Sequence, residues 1–153
     1  MNRLQTLCKR VDDQFDTLEK TRFRSFVYAH IHAVTLLALQ LAKKRGIDPE
    51  LAGAAARLHD IYTLTTLESE DHAGKGAVLA EQLLRETGQW QETEIRAICS
   101  AIASHSEKDR SHGPLEDLLI DADVLEHCLQ RFPGPVREGE EARWAALQTE
   151  LGL

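Results

Sequence analysis

The sequence predicts an all-α fold, a compact bundle of about six to seven helices. Two observations carry this. Apolar residues recur at three- and four-residue steps along almost the whole chain of 153 residues, the period that gathers side chains on one helical face. Helix-stop and helix-start residues, Gly46, Asp48-Pro49, Gly88 and Gly113-Pro114, divide that pattern into segments of helix length.

Each segment has its own signal. Leu4, Leu7, Val11, Phe15 and Leu18 form one apolar stripe, which predicts a first helix over 3–19 with a charged, wet outer face. A second runs from about Arg22 to Arg45 on Phe23, Phe26, Val27, Val34, Leu37, Leu41 and Ala42, with Gly46 as its stop. Asp48 reads as an N-cap and Pro49 as the first residue of a helix of small side chains, Leu51 to Leu58, suited to close packing. The Thr- and acid-rich stretch from Thr63 to Asp71 reads as a loop. Three helices follow, about Asp71 to Glu86, Glu92 to Ser106 and Leu115 to Leu129, with Val78, Leu79, Leu83, Ile95, Ile98 and Ile102 supplying core faces. After Pro133-Gly134-Pro135 a short helix, 138–151, resumes around Trp144, Leu147 and Leu151. The chain is expected to form one domain, 1–153, with the terminal helices packed on a core of about 22–127.

Composition narrows the function. A formal net charge of -7 argues against a nucleic-acid polymer as partner, because phosphate neutralisation needs clustered Lys and Arg. Cys8, Cys99 and Cys128 form no CxxC pair, which points away from a disulfide framework or thiolate zinc ribbon and toward reduced thiols. The charged stretch Met1 to Asp16 lacks the apolar core of a signal peptide, and no run approaches 18 uncharged apolar residues. A soluble cytoplasmic protein with no membrane contact is expected.

The chemistry concentrates at the adjacent pair His59-Asp60, with His30, His72, His105 and Asp123 spread around it. Imidazole and carboxylate hold Zn, Fe, Mn, Ni and Co, and a cation held by several such groups makes water a nucleophile near neutral pH. His59 and Asp60 stand about 100° apart on a helix, so both can face one site only where the helix frays or turns. His32, about 200° from His30, points elsewhere. Asp121 reads as a partner orienting a ligating histidine or as a helix-terminal acid. His112, in a Gly/Pro-flanked loop, and His127, one turn past Asp123, read as surface residues.

These motifs resemble the HD-domain superfamily of metal-dependent phosphohydrolases. The resemblance spans roughly Arg22 to His127 and is carried by Tyr28-Ala-His30-Ile-His-Ala-Val34, Leu58-His59-Asp60-Ile61, His72-Ala-Gly-Lys75-Gly-Ala77, Ala101-Ile-Ala-Ser-His105-Ser and Asp121-Ala-Asp123-Val-Leu125. It implies the all-helical HD bundle, with His30, His59, Asp60 and Asp123 on one metal. His72 and His105 look like the binuclear subset, in which the doublet aspartate, here Asp60, bridges to a second ion. Two divalent transition-metal ions are therefore expected, with Fe, Mn, Ni, Co and Zn all suited to the ligands. Lys75, three residues past His72, and Lys108, three past His105, are candidates to meet substrate phosphate, as is Arg24.

The activity implied is hydrolysis of a phosphate ester or anhydride of a small nucleotide-like metabolite through a metal-activated hydroxide. Two other classes fit the same ligands: a diiron oxygenase built on this fold, and a non-catalytic, metal-stabilised module binding a nucleotide or protein. Apolar faces on the terminal helices suit either a homodimer or closure over the core.

Overall fold

The computed structural model describes residues 1–153 as helices joined by short turns: α1 (Arg3–Thr17), α2 (Arg22–Arg45), α3 (Pro49–Leu58), α4 (Ile61–Thr66), α5 (His72–Thr87), α6 (Glu92–Ser104), α7 (Pro114–Arg131) and α8 (Glu141–Leu151). Seven match the segments expected from periodicity, with ends shifted by at most three residues.

The eighth, α4, replaces the first part of the stretch expected to be a loop. Ile61 and Leu64 bury themselves there. The Thr65 hydroxyl bonds back to the Ile61 carbonyl and that of Thr66 to the Tyr62 carbonyl, at 2.9 and 2.8 Å. The threonines thus satisfy themselves within the helix, and burial of two apolar residues outweighs their poor propensity. Leu67, in a left-handed conformation at φ 65°, ends the helix, and only the following residues up to Asp71 form the loop.

Helix α2 runs through the middle, against α3 on one side and α7 on the other. It is long and apolar enough to span a membrane by length and hydropathy alone, contrary to the sequence expectation of no such run. Here it is a core helix instead, with Val27, Ile31, Val34, Ala38 and Leu41 inside the bundle. The small residues of α3 have the use expected of them. A Cβ on Gly53 would stand 2.7 Å from Leu4 Cδ2 and 3.2 Å from Leu39 Cδ2, so glycine permits α1 and α2 to close on α3 together. Leu7 and Val11 of α1 and Leu147 of α8 are buried in the same core, so the apolar stripes of both terminal helices close over the bundle.

This packing leaves the ends of α3 and α6, the start of α5 and the middles of α2 and α7 facing one point. Helix α3 stops at Leu58, and Asp60, at φ −109° and ψ 22°, is the break before α4. The helix end required for His59 and Asp60 to share one site is present.

Candidate metal centre

Four imidazoles converge with the same edge inward. The Nδ1 atoms of His59, His105 and His72 lie 2.7, 2.7 and 3.0 Å from the carbonyl oxygens of Ala56, Ile102 and Ser69. His30 Nδ1 lies 2.8 Å from Glu126 Oε2. An oxygen acceptor at Nδ1 places the ring proton there and leaves each Nε2 lone pair free. The three carbonyl partners follow from local structure, each lying three residues back at a helix end or turn, and those of Ile102 and Ser69 also take the backbone N–H of the same histidine.

The free Nε2 atoms form two sets. His30 and His59 stand 3.2 Å apart, with Asp123 Oδ1 3.1 Å from His30 and Asp60 Oδ2 3.5 Å from His59. His72 and His105 also stand 3.2 Å apart, and Asp60 Oδ1 lies 3.5 Å from each. The two oxygens of Asp60 are thereby divided between the pairs. Neighbouring nitrogens about 3.0 to 3.4 Å apart are what a cation bound at about 2.0 to 2.1 Å imposes on its ligands. The donor set itself asks for one: Asp60 Oδ1 and Asp123 Oδ1 are buried without a hydrogen-bond donor, a costly condition that a metal removes. Groups of His30, His59 and Asp60 and of Asp60, His72 and His105 each have ligand atoms close enough to share an ion.

Without a cation, the field acts on protons. Burial lowers the His30 pKa, but Asp123 and Glu126 outweigh it and push it up to about 10. Burial dominates at His59, lowered to about 4. Asp60 is raised by burial and lowered more strongly by His59 and His105, ending well below the usual carboxylate range. The centre is acidic enough to hold positive charge in one form or another.

Other expected residues are placed differently. His127 is buried rather than on the surface: its Nε2 lies 3.2 Å from Asp123 Oδ1, its Nδ1 donates to Glu140 Oε1 at 2.9 Å, and its ring stacks on His30. One helical turn from Asp123 is the spacing that shares its face, and that signal was available in the sequence. Asp121 supports no histidine; it pairs with Arg45 and Arg143 and so ties α2 and α8 to α7. Lys108 is turned inward between Asp123 and Glu140. Lys75 bonds the Glu70 carbonyl at 3.1 Å and lies over the Tyr62 ring, beside a different groove. Arg24 is spent on the carbonyls of Leu64, Thr65 and Glu19. His112 stays in its loop near the Glu107 carbonyl, and exposed His32 faces Arg57.

Three further residues at the site, Glu126, Glu140 and Arg137, are not among those expected from sequence. Glu126 lies three residues past Asp123 on a helical face already assigned to the site, which was a usable signal. Glu140 and Arg137 come from the turn between α7 and α8, where no periodicity reports position. The centre opens into a cavity of about 180 Å³ lined by His30, Asp60, His72, His127 and Arg137, with Phe23 and Phe26 at its wall.

The bundle closes around histidines and aspartates whose four rings present Nε2 in two adjacent pairs, an arrangement able to hold metal. The HD-domain family model matches residues 27–129, and the chain belongs to that family. The fold is similar to the crystal structure of a predicted HD superfamily hydrolase from an uncultured Thermotogales bacterium, at 23% identity and a TM-score of 0.65, over 97% of this chain and 89% of that one. No curated protein matches the chain.

Proposed function

We propose that the protein is a cytoplasmic, metal-dependent phosphohydrolase that uses two divalent ions to cleave a phosphate ester or anhydride of a small nucleotide-like metabolite. The carrying observation is the division of Asp60: one oxygen toward His30 and His59, the other toward His72 and His105. HD-family membership and the description of the Thermotogales protein as a predicted hydrolase support the same reading. Divalent ions held there would acidify water and withdraw charge from phosphoryl oxygens.

The chain's own residues have definite tasks in this scheme. His30, His59 and Asp123 would hold one ion and His72 and His105 the other, with Asp60 placed to serve both. Glu126 and the three backbone carbonyls fix the ring orientations. Lys108 holds the Oδ2 side of Asp123, which leaves Oδ1 facing His30. His72, the most exposed of the four ring ligands, sits where substrate enters.

The test is metal content of the wild type, His59→Ala and His72→Ala by plasma emission spectrometry, followed by a phosphate-release screen of nucleotides with Mn, Co, Ni and Fe, in air and without oxygen. About two equivalents falling to one in His72→Ala, with oxygen-independent phosphate release, is the expected result. A wild type that takes up no metal on reconstitution, or releases phosphate from no compound, overturns it.

A further inference from the structure

The metal-site cavity has one cationic side chain in its lining, and it comes from outside the segment matched by the family model: Arg137, in the turn between α7 and α8. Lys75, Lys108 and Arg24, the cations expected from sequence to meet phosphate, are each committed elsewhere. Arg137 is not. Its side chain bonds only His127, Nη1 donating to Nε2 at 2.8 Å. A guanidinium has five N–H donors in a planar fork, so most remain for a ligand. No carboxylate neutralises it, while the turn that carries it is fastened beside the centre by Glu140, whose carboxylate holds both His127 and Lys108.

Another part of the lining is apolar. Phe23 and Phe26 are 49% and 48% exposed although both belong to the apolar stripe of α2, and Val27 continues their surface into the cavity. At about 180 Å³ the cavity holds a phosphate and little more, so the rest of a substrate must lie at its mouth. Two half-exposed aromatic rings in the lining offer apolar surface against which a flat group can stack.

We infer that Arg137 is the residue that binds the substrate phosphate, taking its non-bridging oxygens beside the metal centre, while Phe23 and Phe26 carry a planar aromatic group attached to it. The substrate class is then a phosphate ester with a base-like ring rather than an aliphatic phosphate. This rests on the phosphohydrolase reading, and Arg137 binds and orients; the reaction's proton and nucleophile lie elsewhere. An arginine held over the site suits the task because two parallel N–H bonds to one phosphate fix its orientation as well as its charge.

The experiment is calorimetric titration of the full-length, manganese-loaded protein with inorganic phosphate and with adenosine 5′-monophosphate, for the wild type, Arg137→Ala, Arg137→Lys and Phe26→Ala, with metal content measured for each. Expected are a loss of about tenfold or more in phosphate affinity in Arg137→Ala, partial recovery in Arg137→Lys, and unchanged metal content. Phe26→Ala should bind inorganic phosphate normally and the monophosphate several-fold more weakly. Phosphate binding unchanged in Arg137→Ala, absent from the wild type, or lost together with metal overturns the assignment to Arg137; equal loss of both ligands in Phe26→Ala overturns the aromatic wall. Should the wild type bind phosphate through Arg137 yet hydrolyse no ester, the phosphate site stands and the hydrolase reading falls.

Discussion

Glu126 Oε2 stands 2.8 Å from His30 Nδ1, and this contact decides which nitrogen of His30 faces Asp60 and Asp123. The other three rings are oriented by neutral backbone carbonyls; His30 alone is oriented by a carboxylate, which also makes its Nε2 a stronger donor to a cation. Replacing Glu126 by Gln keeps an oxygen for Nδ1 and loses the charge, whereas Ala loses both. Metal affinity should fall about tenfold in Glu126→Gln and about a hundredfold in Glu126→Ala, read by competition with a chelating dye. Equal affinities in wild type and Glu126→Ala would assign the tautomer to something other than this contact.

The metal-free protein should have a stability maximum near neutral pH that metal flattens. His59, lowered to about 4 in the folded protein from about 6.5 unfolded, binds fewer protons than the unfolded chain between those values, so stability is lost as pH falls through that window. His30 has the opposite sign. Raised to about 10, it contributes fully below about 6.5 and loses its contribution as pH rises toward 10. Urea unfolding at stepped pH, with chelator and with Mn, checks both limbs. A metal-free protein whose stability does not fall between pH 7 and 10 would show that His30 holds no extra proton. Metal should raise the midpoint wherever the ligands are deprotonated, because it binds the folded form.

How far the sequence reached depended on the kind of signal. His30, His59, Asp60, His72, His105 and Asp123 lie on periodic segments or beside their ends, so helical geometry could relate them, and the structure brings all six within one centre. Asp121 and Lys108 are different: their partners are set by long side chains, those of Arg45 and Arg143 reaching Asp121 and that of Lys108 itself reaching Glu140, on elements far away in sequence. Helix α4 is not legible in the sequence because the poor helix propensity of its threonines masks the burial of Ile61 and Leu64. Arg137 lies where the backbone follows no period at all.

Gly76 should be as important to the second ion as a ligand. A Cβ there would stand 3.2 Å from the His59 carbonyl oxygen and 3.6 Å from Ile102 Cγ2, so a larger side chain pushes α5 away from α3 and α6. Helix α5 carries His72, and an offset of a fraction of an ångström opens its 3.5 Å approach to Asp60. Gly76→Val should cost about 1–3 kcal/mol in stability and lower metal content toward one equivalent, measured by denaturation and by emission spectrometry. Two equivalents retained in a destabilised Gly76→Val would mean that α5 adjusts without moving His72.

Lys108 should weaken metal binding while it stabilises the fold. Its ammonium lies between Asp123 and Glu140, both buried, so Lys108→Met leaves two buried carboxylates without their cation and should cost the metal-free protein about 3–5 kcal/mol. A metal ion restores positive charge at Asp123, so the metal-bound variant should recover part of that loss. By linkage, the form that gains more stability from metal binds it more tightly. Lys108→Met should therefore unfold at lower urea than the wild type yet hold its metal more strongly against a chelator, two changes in opposite directions from one substitution. A lysine that serves by contacting substrate, as its spacing from His105 suggests, would instead leave stability and metal affinity alone and lower turnover only.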